Sequence, residues 1–258
     1  MNRVDWTGIS CRDLQRNWDE LGRRDPLWAV LTDPAKQGNR WTPEEFFDTG
    51  RREVAEVLAS IQSLGLAIPK LRALDFGCGV GRLTQALAPH FESVTGIDIA
   101  ASMLELARGY NRFGSRCTYI LNESSDLRVL SDDVFDFVYS NYTLQHMKPG
   151  YAKCYLREFV RVLRPGGITV FQMPCATVVT PRERVRAALP PRVLRLYRRA
   201  RHGAGASGPV MENYVLPREV VEQVLTDSGA QVVHVRHNPR HDRRWVSLIY
   251  YAMKPAHP

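Results

Sequence analysis

Residues 74–82 read Leu74-Asp75-Phe76-Gly77-Cys78-Gly79-Val80-Gly81-Arg82. The apolar run 71–76 predicts a buried strand, and the apolar spacing over 80–90 predicts a helix. The glycines between them let the backbone turn tightly and leave no Cβ in the way of a ligand. A helix N-terminus directly after such a turn offers free N–H groups. The stretch therefore predicts a nucleotide-type site at the carboxyl end of the first strand.

Short apolar runs alternate with helical stretches on both sides of this turn. Strands are predicted at 71–76, 93–97, 117–121, 135–140 and 168–173, and helices at 80–90, 101–110 and 151–163. Such alternation predicts a parallel sheet with helices on both faces. A helix over 217–229 and two strands, 231–237 and 245–253, follow. Because these two strands are expected to pair as a hairpin, the last one is antiparallel. The expected fold class is α/β, with a doubly wound sheet of seven strands.

Residues 1–70 contain no obvious strand and are predicted to be helical. One helix start is clear, because Thr42 can cap it, Pro43 suits its first position and Glu45 can return a hydrogen bond. The expected organisation is an α/β domain over 71–258, with 1–70 as a helical cap of the same domain. A helical insert is expected at about 175–215, where prolines and a glycine-rich run break the alternation.

The composition sets broad limits on class and location. The five cysteines are scattered, with no pair spaced as in a zinc ribbon or a disulfide framework, which fits a reducing cytoplasm. No window approaches 18 apolar residues, and no apolar run follows the charged N-terminus, so neither a transmembrane helix nor a signal peptide is expected. The net charge of +8 is modest and localised, so a solvated surface explains most of it. The oligomeric state stays open.

An acid at the end of the second strand adds to the glycine signal. Asp98 comes 17 residues after Gly81, and an acid there commonly binds the ribose hydroxyls of a nucleotide. A simple acid at the start of the helix 101–110 is the alternative. The glycines follow G-x-G-x-G rather than the G-x-G-x-x-G of dinucleotide sites. The negative Asp75 beside them suits an amino-acid ammonium better than a pyrophosphate, which favours S-adenosylmethionine over NAD.

Five stretches together resemble the class I S-adenosylmethionine-dependent methyltransferases, especially the branch that acts on small molecules. They are residues 74–84, 96–108, 133–140, 143–147 and 158–167, and they occur in the order of the family. The resemblance implies a Rossmann-like, doubly wound sheet of seven strands, S-adenosylmethionine as cofactor and a small-molecule methyl acceptor.

The resemblance also implies roles for individual residues. The implied cofactor-binding residues are Asp75, Gly77, Gly79, Gly81 and Arg82 for the methionine part, Asp98 for the ribose, and Ile99, Met103, Ser125, Asp126 and Leu127 for the adenine. Asn141 and Tyr142 would face the sulfonium and the methyl acceptor. Tyr142 is thereby also a candidate catalytic residue that orients the acceptor.

His146 is the second candidate catalytic residue. The cofactor carries its own reactive methyl group, so the protein must mainly align a nucleophile and exclude water. A hydroxyl acceptor also needs a base, and His146 is expected beyond the fourth strand, where a base is useful. A packing role is the alternative for this histidine. On His146 alone, methylation of oxygen is preferred over methylation of nitrogen.

Other partners and activities are weighed on the same residues. No metal is expected, because Ser140-Asn141-Tyr142 offers no carboxylate, and a nucleic-acid substrate is disfavoured because no Pro-Pro-aromatic motif follows the fourth strand. The eight arginines over 182–201 predict a basic helix. That helix could be a solvated lid, recognise an anionic acceptor or dock peripherally on a membrane with a lipid-linked acceptor. An NAD-dependent oxidoreductase and a non-catalytic cofactor-binding module stay open as alternatives.

Overall fold

The computed structural model of the protein describes residues 11–178, 211–238 and 244–256. Seven strands within these ranges form one mixed sheet. Their bounds are β1 Arg72–Phe76, β2 Ser93–Asp98, β3 Cys117–Leu121, β4 Phe135–Ser140, β5 Leu163–Thr177, β6 Gln231–His237 and β7 Trp245–Met253. The order across the sheet is β3-β2-β1-β4-β5-β7-β6. Because β7 runs antiparallel to both β5 and β6 and the other pairs are parallel, the predicted sheet with its antiparallel last strand is confirmed.

Helices cover both faces of this sheet, as the alternation predicted. Their bounds are α1 Cys11–Arg24, α2 Pro26–Val30, α3 Pro43–Ser63, α4 Arg82–Leu87, α5 Ala101–Tyr110, α6 Pro149–Val162 and α7 Arg218–Asp227. Successive residues of a strand face opposite sides, so Ala73 packs in the core under α3 and α4, and Leu74 packs in the core under α6 and α7. No helix in the described ranges is long and apolar enough to span a bilayer.

The N-terminal helices form a third layer over one end of the sheet. Leu21 of α1, Leu27 of α2 and Phe46 of α3 share a buried cluster with Met103 of α5. Ser102 is also tied to this layer, because its N–H and hydroxyl both donate to the Asp19 carboxylate at 3.0 Å. The prediction of a helical segment without strands is confirmed for residues 11–70.

The strand β5 differs most from its predicted bounds of 168–173. At its start, residues 164–167, which lie between the predicted helix 151–163 and the predicted strand, already belong to the strand, because Gly166 and Gly167 exchange backbone hydrogen bonds with Lys254 at 2.7 and 3.0 Å. At its end, residues 174–177 pair with the start of β7. Residues 175–177, predicted as the start of the insert, therefore belong to this strand. Residues 179–210, most of the predicted insert with its arginines, lie outside the described residues.

Residues 211–217, where the predicted insert ends, are not helical. The Tyr214 N–H of this segment donates to the Gln145 carbonyl at 2.7 Å. The Leu216 N–H donates to the Pro174 carbonyl at 2.9 Å. These two bonds tie the segment to the residues that follow β4 and to the end of β5, so the Tyr214 and Leu216 N–H groups are satisfied without a helix.

The start of α3 gives a test of local stability. Thr42 Oγ1 accepts from the Glu45 N–H at 3.3 Å, and Glu45 Oε2 accepts from the Thr42 N–H at 3.4 Å. We expect Thr42→Ala to lower the free energy of unfolding by about 1 kcal/mol, since it removes the cap. Urea denaturation measures this, with Gln62→Ala on the exposed side of the same helix as control. Equal effects of the two changes would contradict a capping role.

Candidate active site

The turn between β1 and α4 is held by the end of β2. The N–H groups of Gly77 and Cys78 both donate to the Ile97 carbonyl oxygen, at 2.8 and 3.1 Å. Gly77 has a φ of +73°, and a Cβ at this position would lie 2.1 Å from the Thr143 side chain. Neither the backbone conformation nor the available space admits a side chain, so the turn requires glycine here.

A cavity of about 480 Å³ lies at the carboxyl ends of β1, β2 and β4. It is the place where ligands bind in open α/β sheets. The predicted site residues that line it are Gly77, Gly79, Asp98, Ile99, Met103, Asn141, Tyr142 and His146. The N-terminal layer closes the opposite side with Trp18, Leu31 and Trp41, so this layer forms part of the site.

Six predicted site residues do not line the cavity as the described residues form it. They are Asp75, Gly81, Arg82, Ser125, Asp126 and Leu127. Asn122 borders the cavity near the predicted adenine edge, and its side-chain amide donates to the Asp126 carbonyl at 2.8 Å. The sequence interpretation missed Asn122. Its position directly after β3 is the signal that could have found it, because ligands bind at such strand ends.

Asp98 connects the glycine turn to the cavity. Its Oδ2 accepts from the Gly79 N–H at 2.8 Å, and its Oδ1 accepts from the Ala100 N–H at 2.9 Å. Burial raises the pKa of this carboxyl, although the backbone donors oppose the shift. A carboxylate has about four lone-pair positions. Asp98 can therefore hold the turn and still accept from two ligand hydroxyls.

Asp75 lies beneath the turn, fully buried at the end of β1. Its Oδ2 accepts from the Thr84 hydroxyl at 2.6 Å, whereas its Oδ1 has no hydrogen-bond partner among the described residues. Burial raises the pKa of Asp75 to about 7. An acid with one unsatisfied oxygen favours a positively charged partner in its ionised form.

Arg82 turns away from the cavity and pairs with a residue that sequence reasoning missed. Its guanidinium Nη1 lies 3.0 Å from Oε2 of Glu53, and both side chains are buried. Glu53 comes from the middle of α3, so the pair joins the N-terminal layer to the helix that follows the glycine turn. A charged residue on an amphipathic helix gives no sequence signal that its partner lies 29 residues away.

Asn141 and Tyr142 follow β4 at the centre of the cavity wall. The Asn141 Nδ2 donates to Oε1 of Glu53 at 2.7 Å, and its Oδ1 is buried with no hydrogen-bond partner among the described residues. Tyr142 has a φ of +58°, which is uncommon for a residue with a side chain. Its N–H donates to Oε1 of Gln172 at 3.2 Å, and this bond helps hold the turn.

Gln172 begins a chain of directed hydrogen bonds that ends on His146. Because its Oε1 accepts from a backbone N–H, its amide nitrogen is free to donate, and it does so to Ser247 Oγ at 2.6 Å and Gln145 Oε1 at 3.1 Å. The Gln145 amide nitrogen in turn lies 3.1 Å from His146 Nε2. The bond order along the chain makes Gln145 the donor and Nε2 the acceptor.

The other ring nitrogen of His146 is bound to the segment 211–217. His146 Nδ1 lies 2.7 Å from the Glu212 carbonyl oxygen, which can only accept, so Nδ1 carries the proton. The contacts among the described residues are those of the tautomer protonated on Nδ1, with Nε2 accepting from Gln145. Trp18 contacts the ring edge-on at a centroid distance of 5.0 Å. For this histidine to act as a base, Gln145 must first release Nε2.

The profile of a family described as a methyltransferase domain matches residues 73–167. Trans-aconitate 2-methyltransferase of Deinococcus radiodurans is 33% identical over 138 residues, which are 52% of this chain and 49% of that protein. The ubiquinone biosynthesis O-methyltransferase of Xanthomonas campestris pv. campestris is 29% identical over 134 residues, 52% of this chain and 55% of that protein. The chain thus spans about half the length of the curated relatives it matches.

A solved structure shows that the fold is also similar to that of a methyltransferase. Magnesium protoporphyrin IX methyltransferase of Synechocystis PCC 6803, with bound S-adenosylhomocysteine, superposes with a TM-score of 0.64 at 19% identity, over 95% of this chain and 99% of that one. The match over residues 73–167 and the shared fold make this stretch a methyltransferase domain. The resemblance drawn from the five sequence stretches is confirmed, and S-adenosylmethionine is the cofactor of this methyltransferase domain.

The residues of the cavity fit S-adenosylmethionine. Asp98 offers a carboxylate for ribose hydroxyls, and Ile99 and Met103 offer apolar surface for a base. Asn141 lines the same cavity, and its unpartnered Oδ1 is a hydrogen-bond acceptor. Leaving a buried acceptor without a partner costs about 1–3 kcal/mol. A ligand ammonium, which can only donate hydrogen bonds, would supply the missing partner.

The pKa of Asp75 predicts a pH-dependent stability. The folded chain holds this proton more tightly than the unfolded chain, whose carboxyl titrates near 3.8, so stability falls as the pH rises towards 7. We expect Asp75→Asn to gain thermal stability relative to the wild type between about pH 5 and about pH 8, because the amide stays neutral. Thermal melts measure this, with the exposed Asp227→Asn as control. A difference independent of pH would contradict it.

The directed hydrogen bonds predict the tautomer of His146. In ¹⁵N-labelled protein, we expect the Nδ1 resonance to be that of a protonated nitrogen and the Nε2 resonance that of an unprotonated one. His146→Asn identifies the resonances. Gln145→Glu should move a proton onto Nε2, because a carboxylate can only accept. A proton on Nε2 in the wild type would contradict the chain of bonds.

Proposed function

We propose that the protein transfers a methyl group from S-adenosylmethionine to an oxygen atom of a small-molecule acceptor. The observation that carries this proposal is one cavity lined by two chemically different sets of residues. Asp98 and the acceptor-only oxygen of Asn141 suit the cofactor. Trp18, Trp41 and Trp245 suit an organic molecule with an apolar body.

The names of the relatives support oxygen as the site of methylation. The relative from Xanthomonas campestris is named an O-methyltransferase, and the relative from Deinococcus radiodurans is named for trans-aconitate. Both matches cover about half of each protein.

The hydrogen bonding of His146 narrows the kind of oxygen atom that we expect to be methylated. The preference for oxygen in the sequence rests on His146 as a base, but its Nε2 accepts a hydrogen bond from Gln145. An oxygen that is already anionic, as in a carboxylate, needs no base. Arg244 lies at the same cavity and adds positive charge to its wall. These two observations favour a carboxylate-bearing acceptor, with His146 as an orienting residue.

The residues of the site would act by position. When bound, S-adenosylmethionine supplies an electrophilic methyl group on a positive sulfur. Asp98 would bind the ribose, and Asn141 would bind the amino-acid end. Tyr142, held by Gln172, would orient the acceptor, while Trp18 and Trp41 of the N-terminal layer would exclude water. The 1–70 segment is accordingly proposed to close the site within the same domain as 71–258.

Cofactor binding tests the first half of the proposal. We expect Asp98→Ala to weaken S-adenosylhomocysteine binding at least about tenfold, because hydrogen bonds to a charged group contribute about 1.5–3 kcal/mol. Titration calorimetry measures this, with Asp227→Ala at an exposed position of α7 as control. Equal effects would remove Asp98 from the site. A protein that binds NAD but does not bind S-adenosylhomocysteine would instead favour an oxidoreductase.

The chemistry of transfer tests the second half of the proposal. Cofactor carrying a labelled methyl group is incubated with aromatic carboxylates and with the matched primary amides. We expect label on the carboxylates only, released as methanol by mild alkali, because a methyl ester hydrolyses where an ether or a methylamine does not. Label that resists alkali would contradict a carboxylate as the methyl-accepting group. Cofactor binding without any transfer would favour the non-catalytic module.

A further inference from the structure

We propose that Glu53, on α3, is a positioning residue for the cofactor, because it sets the orientation of the Asn141 side-chain amide. In this role Glu53 does not touch the cofactor. It decides whether Asn141 presents a carbonyl oxygen or an amino group to the cavity. The inference rests on the proposed function, since it requires a ligand with an ammonium group in this cavity.

Three donors converge on the buried Glu53 carboxylate. Its Oε1 accepts from the Asn141 Nδ2 at 2.7 Å and from the Tyr139 hydroxyl at 2.8 Å, and its Oε2 accepts from Arg82 at 3.0 Å. Burial on its own raises the pKa of Glu53, but the Arg82 guanidinium and the three hydrogen bonds outweigh it and leave the pKa below its ordinary value. The group is therefore a carboxylate, which can only accept hydrogen bonds.

A carboxylate at this place dictates which way the Asn141 amide points. Only the amide nitrogen can donate to Glu53, so the Oδ1 of Asn141 must face the other way. Asn141 lines the cavity, and this Oδ1 is buried without a hydrogen-bond partner among the described residues. Buried polar atoms are rarely left unpaired. The geometry therefore points to a ligand donor, and the ammonium of the methionine part is the donor of the right charge.

The contrast with a neutral side chain shows what Glu53 contributes. A glutamine at position 53 could donate to the Asn141 Oδ1 as readily as accept from its Nδ2. The Asn141 amide could then turn and present two N–H groups to the ligand ammonium, which is repulsive. The N-terminal helix α3 would in this way set the chemistry of a subsite that lies at the end of β4.

The test compares two ligands that differ in one group. They are S-adenosylhomocysteine and its deaminated analogue, 5′-thioadenosine carrying a butanoate chain on sulfur, with binding to the full chain measured by titration calorimetry. We expect Glu53→Gln to weaken S-adenosylhomocysteine binding about tenfold or more, as for a lost hydrogen bond to a charged group. The affinity for the analogue should change less than about threefold.

Two further variants keep the test sharp. Asn141→Leu removes the carbonyl but leaves the Glu53–Arg82 pair intact, and it should reproduce the same selective loss even if Glu53→Gln does not fold. Glu56→Gln makes the same chemical change at an exposed position of α3 and should alter neither affinity. Equal losses for both ligands, or no loss for either, would overturn the role of Glu53. Wild-type protein that binds neither ligand would instead overturn the proposed function.

Discussion

The hydrogen bonds between the glycine turn and the end of β2 are the constraint on which the site depends. The turn can stay open to a ligand only if its backbone N–H groups are satisfied from behind, and the Ile97 carbonyl and the Asp98 carboxylate do this. Parallel pairing of β1 with β2 sets Ile97 opposite Phe76, so both acceptors lie beside the start of the glycine turn. The same arrangement directs Asp98 to the cavity, so the residue that holds the turn is also the one that suits a ribose.

A second constraint comes from the N-terminal layer. The Glu53–Arg82 pair is almost fully buried, and further hydrogen bonds are needed to offset the cost of removing such a pair from water. Tyr139 and Asn141 fill two of them. Breaking such a pair leaves a buried charge, so α3 cannot easily separate from the glycine-turn helix. The N-terminal layer is thus part of the fold as well as part of the cavity wall.

Local patterns predicted the elements well and the long-range contacts poorly. The bounds of β3, β4 and α5 agree with the sequence prediction, because hydrophobic periodicity and turn residues act over a few positions. β5 does not agree, since its two ends are determined by pairing with β7 and Lys254. Asn122 was missed although its position directly after β3 is a local signal.

The sequence by itself determined the glycine turn, the acid after the second strand and the order of strands and helices, and these indicated the cofactor. All are features of neighbouring residues, whose backbone preferences act locally. Only the tertiary structure decided the protonation of His146 and the orientation of the Asn141 amide. Both depend on partners 66 and 88 residues away in the chain, and a hydrogen bond has a direction only when both of its ends are in place.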